Sequence, residues 1–120
     1  MARIIVVDDV KDACLLLKKI LERKGHEVFT FTDEDEAIEF ASQNPVDLAI
    51  LDIKLKRMIG VELLAELKKI LPSLKAVMLT GYPSVETARD SLKKGASEYL
   101  VKPVDKHELE ETVEAVLKEK

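Results

Sequence analysis

Apolar and polar residues fall along this chain in two kinds of block. Ile4-Ile5-Val6-Val7, Leu48-Ala49-Ile50-Leu51 and Ala76-Val77-Met78-Leu79 are short continuous apolar runs, as expected of strands buried on both faces of a parallel sheet. Val28-Phe29-Thr30-Phe31 alternates in character like an edge strand, and Tyr99-Leu100-Val101 reads as a short last strand. Helical spacing fills the gaps. Leu16, Leu17, Ile20 and Leu21 share one face of a first helix that Gly25 ends. Thr32 with Asp35 has the form of a capping box opening a second helix with Ala37, Phe40 and Ala41, closed by Asn44-Pro45. Gly60 leads into a third helix carrying Leu63, Leu64, Leu67, Ile70 and Leu71, stopped by Pro72. Ser84 caps a fourth, bearing Val85, Ala88 and Leu92 and ended by Gly95. Asp105 with Glu108 opens a fifth, lined by Leu109, Val113, Val116 and Leu117.

Five strands alternating with five helices predict a doubly wound α/β fold: a parallel sheet with right-handed crossovers, covered on both faces. The pattern leaves the strand order open. At 120 residues, with no linker, repeat or low-complexity tract, residues 1–120 are expected to form one domain.

Composition narrows the function. A net charge of −4 argues against nucleic-acid binding, which needs a basic surface. Met1-Ala2-Arg3 runs into an apolar stretch too short for a signal peptide, and no run has membrane-spanning length. These features, with a lone Cys14 that has no internal partner, point to a cytoplasmic protein. Cys14 lies among Leu15, Leu16 and Leu17 and reads as core packing, while His26 and His107 read as surface residues without metal-ligand spacing.

The chemistry gathers where the strands stop. Asp8-Asp9 follow the first strand, Asp52 the third, Thr80 the fourth and Lys102-Pro103 the fifth. In a parallel sheet these ends face one rim, where such folds bind ligands. Each residue has an ordinary use as a cap, a turn or a solvated lysine, but five of them meeting at one rim suggest a site. Two carboxylates about 5 Å apart at an effective dielectric near 20 repel by roughly 3 kcal/mol, and a divalent cation removes that cost. An all-oxygen donor set suits Mg²⁺. A metal-held carboxylate beside a hydroxyl and a lysine fits phosphoryl transfer, with Asp52 as the nucleophile that forms an acyl phosphate. That acyl phosphate would be either a catalytic step or a stored signal.

Asp8-Asp9, Asp52, Gly60, Thr80-Gly81, Tyr99 and Lys102-Pro103 together resemble the signature of receiver domains of two-component response regulators, and the resemblance spans essentially the whole chain. It is similar to the single-domain chemotaxis regulators, which have the flavodoxin-like strand order 2-1-3-4-5. The resemblance implies that Asp52 accepts phosphate from a histidine kinase. It implies that Asp9, Asp52 and the backbone carbonyl of Lys54 bind Mg²⁺, with Asp8 acting through a water. Thr80 would donate to the phosphoryl group and move inward, Lys102 would pair with it, the peptide before Pro103 would be cis, and Tyr99 would be a rotameric switch. The output would appear on the face of the fourth helix, fifth strand and fifth helix, near Val85 to Lys94 and Tyr99 to Glu111, as partner binding or homodimerisation. The domain would not be an enzyme beyond its own autophosphorylation and autodephosphorylation.

Departures from the family pattern carry their own expectations. Many relatives have Met-Pro after the phosphorylation site; here Lys54-Leu55-Lys56-Arg57-Met58-Ile59-Gly60 lacks proline, which predicts a more mobile loop whose cations chiefly solvate the rim. The positions that influence dephosphorylation hold Lys54 and Tyr82, both placed to obstruct an attacking water. A haloacid-dehalogenase-like phosphatase is an alternative, but it normally needs an acid where Lys54 stands. A flavodoxin-like cofactor binder is another, though carboxylates replace the phosphate-cradling groups after the first strand. Thr80-Gly81-Tyr82-Pro83-Ser84-Val85-Glu86-Thr87-Ala88 resembles receivers of enhancer-dependent transcription activators. No output module follows Lys120 in this sequence, which is expected of a stand-alone regulator or an excised receiver.

Overall fold

The computed structural model describes residues 1–55 and 57–119. In chain order its elements are β1 (Arg3–Val7), α1 (Lys11–Glu22), β2 (Glu27–Phe31), α2 (Glu34–Gln43), β3 (Leu48–Leu51), α3 (Gly60–Ile70), β4 (Lys75–Thr80), α4 (Val85–Lys93), β5 (Glu98–Val101) and α5 (Lys106–Leu117). The five strands form one sheet in the order β2-β1-β3-β4-β5, and every pairing is parallel.

The apolar runs predicted as doubly buried strands are buried on both faces. Ile4, Val6, Leu48, Ile50, Val77 and Leu79 pack with Cys14, Leu17 and Leu21 of α1 and Leu109, Val113 and Val116 of α5. Ile5, Val7, Ala49, Leu51, Ala76 and Met78 pack on the other side with Ala37 and Ala41 of α2 and Leu63, Leu64 and Leu67 of α3. Each large side chain so enclosed contributes roughly 1.5–3 kcal/mol relative to exposure. The central strand β3 is buried at all four positions, so its carboxyl end is fixed from both sides.

Several predicted faces need correction. Leu16 of α1 is 59% exposed, because Cys14, Leu17 and Leu21 supply the buried stripe and Leu16 falls outside it. In α4, Val85 and Leu92 are exposed, Ala88 is half-buried and Ser91 is the buried residue, so the two large apolar side chains face solvent rather than the core. Ile70 also lies toward solvent at the end of α3. The cap of α2 is Asp33, not Thr32: its side chain accepts hydrogen bonds from the backbone N–H groups of Asp35 and Glu36. Ser84 and Asp105 cap α4 and α5 as expected. Gly25 (φ +89°) and Gly95 (φ +100°) end α1 and α4 in the left-handed region that glycine adopts without steric cost. His26 is half-buried, with Nδ1 accepting the backbone N–H of Ala2, while His107 is exposed.

Candidate functional site

Parallel pairing brings the carboxyl ends of β1, β3, β4 and β5 to one rim. Asp8 is 2% exposed and Asp52 8%, and Asp9 is half-buried beside them. One carboxylate oxygen from each of the three lies within 4.8 Å of the others.

Asp8 and Asp52 are held in parallel ways. Asp8 Oδ1 accepts the N–H of Val10 at 2.9 Å, and Asp52 Oδ1 accepts the N–H of Lys54 at 3.1 Å. Their second oxygens share one ammonium: Lys102 Nζ donates to Asp8 Oδ2 at 2.6 Å and to Asp52 Oδ2 at 3.0 Å. Burial pulls the Lys102 pKa down, but its hydrogen bonds and charge interactions with the two aspartates outweigh that and hold it above the ordinary lysine value. The Lys102–Pro103 peptide is cis.

This donor set fits a hard divalent ion. Three carboxylates against one ammonium leave two formal negative charges uncompensated, and no thiol or imidazole takes part. Mg²⁺ is bound through oxygens, and each of the three carboxylates offers one within 4.8 Å of the others. Asp8, Asp9 and Asp52 could hold such an ion.

The other predicted residues occupy the rim around this cluster. Thr80 is the last residue of β4 and fully buried; its Oγ1 accepts the N–H of Tyr82 at 3.0 Å, and its carbonyl accepts the N–H of Lys102 at 2.8 Å. Lys54 and Tyr82 meet above the rim, with Lys54 Nζ 4.4 Å from the Tyr82 ring centroid, a cation–π contact between two exposed side chains. Tyr99 packs its ring against the core on the α3 side. Its hydroxyl bonds Thr87 Oγ1 at 2.7 Å and accepts the N–H of Ser84 at 3.3 Å, joining β5 to the start of α4. Cys14 is buried as expected. Burial first, then the nearby Asp8 carboxylate, raises its thiol pKa to about 11, leaving a protonated thiol at neutral pH.

The loop after Asp52, expected to be mobile with its cations chiefly solvating the rim, carries specific contacts where it is described. Lys54 bridges Ile59 in antiparallel fashion, and Gly60 N–H donates to the Ile53 carbonyl at 2.7 Å. Arg57 does not merely solvate the rim; its guanidinium pairs with Asp33 at 2.6 Å and Asp35 at 3.1 Å. Lys56 lies outside the described residues. Sequence reasoning missed Glu34, which is 1% exposed and accepts the backbone N–H of Arg57 at 2.8 Å. Its only signal was an acid in a helix's first turn, which usually means a solvated, dipole-compensating residue.

Residues 4–114 match the response regulator receiver domain family. A response regulator receiver domain protein (CheY-like) from Methanospirillum hungatei superposes with a TM-score of 0.94 and 38% identity, over 98% of this chain and 94% of that one. A Burkholderia pseudomallei response regulator, crystallised with a phosphorylated aspartic acid, calcium ion and citrate, gives a TM-score of 0.87 and 31% identity over 98% of this chain and 67% of that one. The transcriptional regulatory protein ZraR of Escherichia coli is 36% identical over 114 residues, 95% of this chain, which spans only 26% of that relative's length.

Proposed function

This chain belongs to the response regulator receiver domain family, and from that membership we propose that Asp52 is its phosphoacceptor, charged by a histidine kinase and read out on the α4–β5–α5 face. One observation carries the proposal: Asp8, Asp9 and Asp52 converge at the carboxyl edge of the sheet, where the Lys102 ammonium bridges Asp8 and Asp52. The crystallised Burkholderia relative, with its phosphorylated aspartic acid and calcium ion, supports the same chemistry here.

Asp8 and Asp9, with Asp52 and the Lys54 carbonyl, would hold Mg²⁺, whose chemistry is to neutralise charge developing on the transferred group. In the transfer, an Asp52 oxygen attacks the phosphorus of a phosphohistidine; the P–N bond breaks as the P–O bond forms, and the departing imidazole takes up a proton. Asp52 Oδ2 already lies 3.0 Å from Lys102, so this cation is placed to follow the new charge onto the phosphoryl oxygens. Thr80 would exchange its bond with Tyr82 N–H for one to the phosphoryl group, drawing the β4–α4 junction inward. Tyr99 would respond through its ties to Ser84 and Thr87. A shift from mostly off to mostly on takes about 5.5 kcal/mol of differential stabilisation, within reach of a few charge-assisted hydrogen bonds.

The exposed Val85, Leu92 and Val101 support an output surface on α4 and β5, for an effector domain, a target protein or a second copy. Likeness to ZraR supports transcription control as that output, within a cytoplasmic phosphorelay. We further propose that residues 1–120 act as one receiver unit whose only chemistry is gaining and losing its own phosphoryl group. The phosphatase and cofactor-binder alternatives are not supported by the family match or by the relatives. A Mg²⁺-dependent NMR shift with beryllofluoride, absent in Asp52→Asn, tests the proposal; multiple turnover on phosphate esters would contradict it.

A further inference from the structure

A set of residues outside the acid cluster connects the two loops that carry it. The strand-to-helix junction Phe31-Thr32-Asp33-Glu34 contacts both the turn that carries Asp8 and the loop that follows Asp52. On one side the Phe31 carbonyl accepts the N–H of Asp8 at 3.1 Å, anchoring the turn that carries Asp8 and Asp9. On the other, Glu34 Oε2 accepts the N–H of Arg57, and the Arg57 fork grips Asp33 and Asp35. Asp33 cannot swing away freely, since its Oδ1 also caps α2 by accepting the N–H of Asp35 at 2.8 Å. The loop that begins at Lys54 is therefore pinned at its neck by the Lys54–Ile59 bridge and toward its tip by Arg57.

We propose that Arg57, working with Glu34 and Asp33, is a positioning latch that strengthens divalent-cation binding by holding the Lys54 end of the loop at a fixed distance from the Asp8–Asp9 turn. The inference rests on reading Asp8, Asp9 and Asp52 as the cation site. Isolated surface ion pairs contribute little, but here a two-carboxylate fork acts together with a backbone bond to a buried acid. Immobilising the loop before the ion arrives removes that ordering cost from binding, and the latch supplies a constraint that proline would otherwise impose on the loop. Groups that orient metal ligands from outside commonly alter metal affinity by about 10–100-fold, and the latch reaches the ligands through the loop and the Phe31–Asp8 bond rather than by direct contact.

Charge and position predict opposite signs, which makes the latch testable. Arg57 is a cation on the loop that follows Asp52, so removing its charge would by electrostatics alone tighten Mg²⁺ binding. Loss of positioning would weaken it. The experiment is calorimetric titration of the whole chain with MgCl₂ for wild type, Arg57→Gln and Arg57→Lys, with thermal melts in the absence of Mg²⁺ confirming that each variant is folded. Both variants are expected to bind about tenfold more weakly, because lysine keeps the charge but not the two-carboxylate fork. Unchanged or tighter binding in Arg57→Gln overturns the latch and leaves the cation site standing. If wild type binds no Mg²⁺, the reading of the cluster fails and the latch fails with it.

Discussion

Lys102 Nζ stands 2.6 Å from Asp8 Oδ2, bringing together residues 94 positions apart in the chain. The lysine proposed to meet a phosphoryl group is, before phosphorylation, a counter-ion that occupies two oxygens of the acid cluster. It therefore stabilises the ion-free fold and competes with a metal ion for the same carboxylates.

Lys102→Met should consequently lower stability in metal-free buffer by about 1–3 kcal/mol, the cost of leaving buried carboxylates without their donor. Mg²⁺ should bind the variant more tightly than wild type and recover part of that loss. Because the Lys102 pKa is raised on folding, its contribution is complete below the ordinary lysine value and disappears only as pH rises through the elevated one. Denaturation with and without Mg²⁺ checks this; weaker Mg²⁺ binding by the variant would contradict the competition.

Lys54 and Tyr82 act together rather than as separate obstructions. Their cation–π contact is worth about 0.5–1 kcal/mol at an exposed site, so breaking it should open the path for hydrolytic water. Phosphorylated Lys54→Ala/Tyr82→Ala should decay about two- to fivefold faster than wild type, and either single variant should account for most of the change. Decay is followed by loss of label after acetyl phosphate is removed. An equal or slower rate in the double variant would count against the idea.

Gly60 is required by packing rather than by an unusual backbone angle. A β-carbon there would collide with the Asp52 carbonyl, displacing the residue proposed to accept phosphate. Gly60→Ala should cost at least about 2 kcal/mol of stability and reduce labelling of Asp52. A variant with wild-type melting and wild-type labelling would show that the loop yields more readily than its hydrogen bonds indicate.

How much of this could be read from sequence depends on whether a residue's neighbours are local. Leu48 to Leu51 announced a doubly buried strand because a parallel sheet covered on both faces demands continuous apolar character. Gly25 and Gly95 marked helix ends for a backbone reason that composition alone reveals. The five rim residues were legible because parallel topology sends all strand ends the same way. Glu34 and Arg57 were not legible: their pairing depends on how far the β3–α3 loop leans over α2. Val85 and Leu92 misled because helical periodicity identifies an apolar stripe without saying whether the sheet or a partner covers it.

Tyr99 offers a test of signal propagation separate from phosphorylation chemistry. Its hydroxyl joins Thr87 and Ser84, while Thr80 holds the adjoining junction through Tyr82 N–H. Beryllofluoride with Mg²⁺ should shift the Tyr99 ring resonances in wild type. Thr80→Ala should still bind beryllofluoride, seen at the Asp52 amide, with Tyr99 remaining near its starting position. A full Tyr99 shift in Thr80→Ala would show that the switch does not run through the threonine.

The most direct measurement is intact mass after incubation with acetyl phosphate, with and without Mg²⁺, for wild type and Asp52→Asn. The wild-type chain should gain a single hydroxylamine-labile phosphoryl group only when Mg²⁺ is present, and Asp52→Asn should gain none. Labelling of Asp52→Asn to the wild-type level, or wild-type labelling indifferent to Mg²⁺, would contradict the assignment of Asp52 as the acceptor in a metal-dependent site.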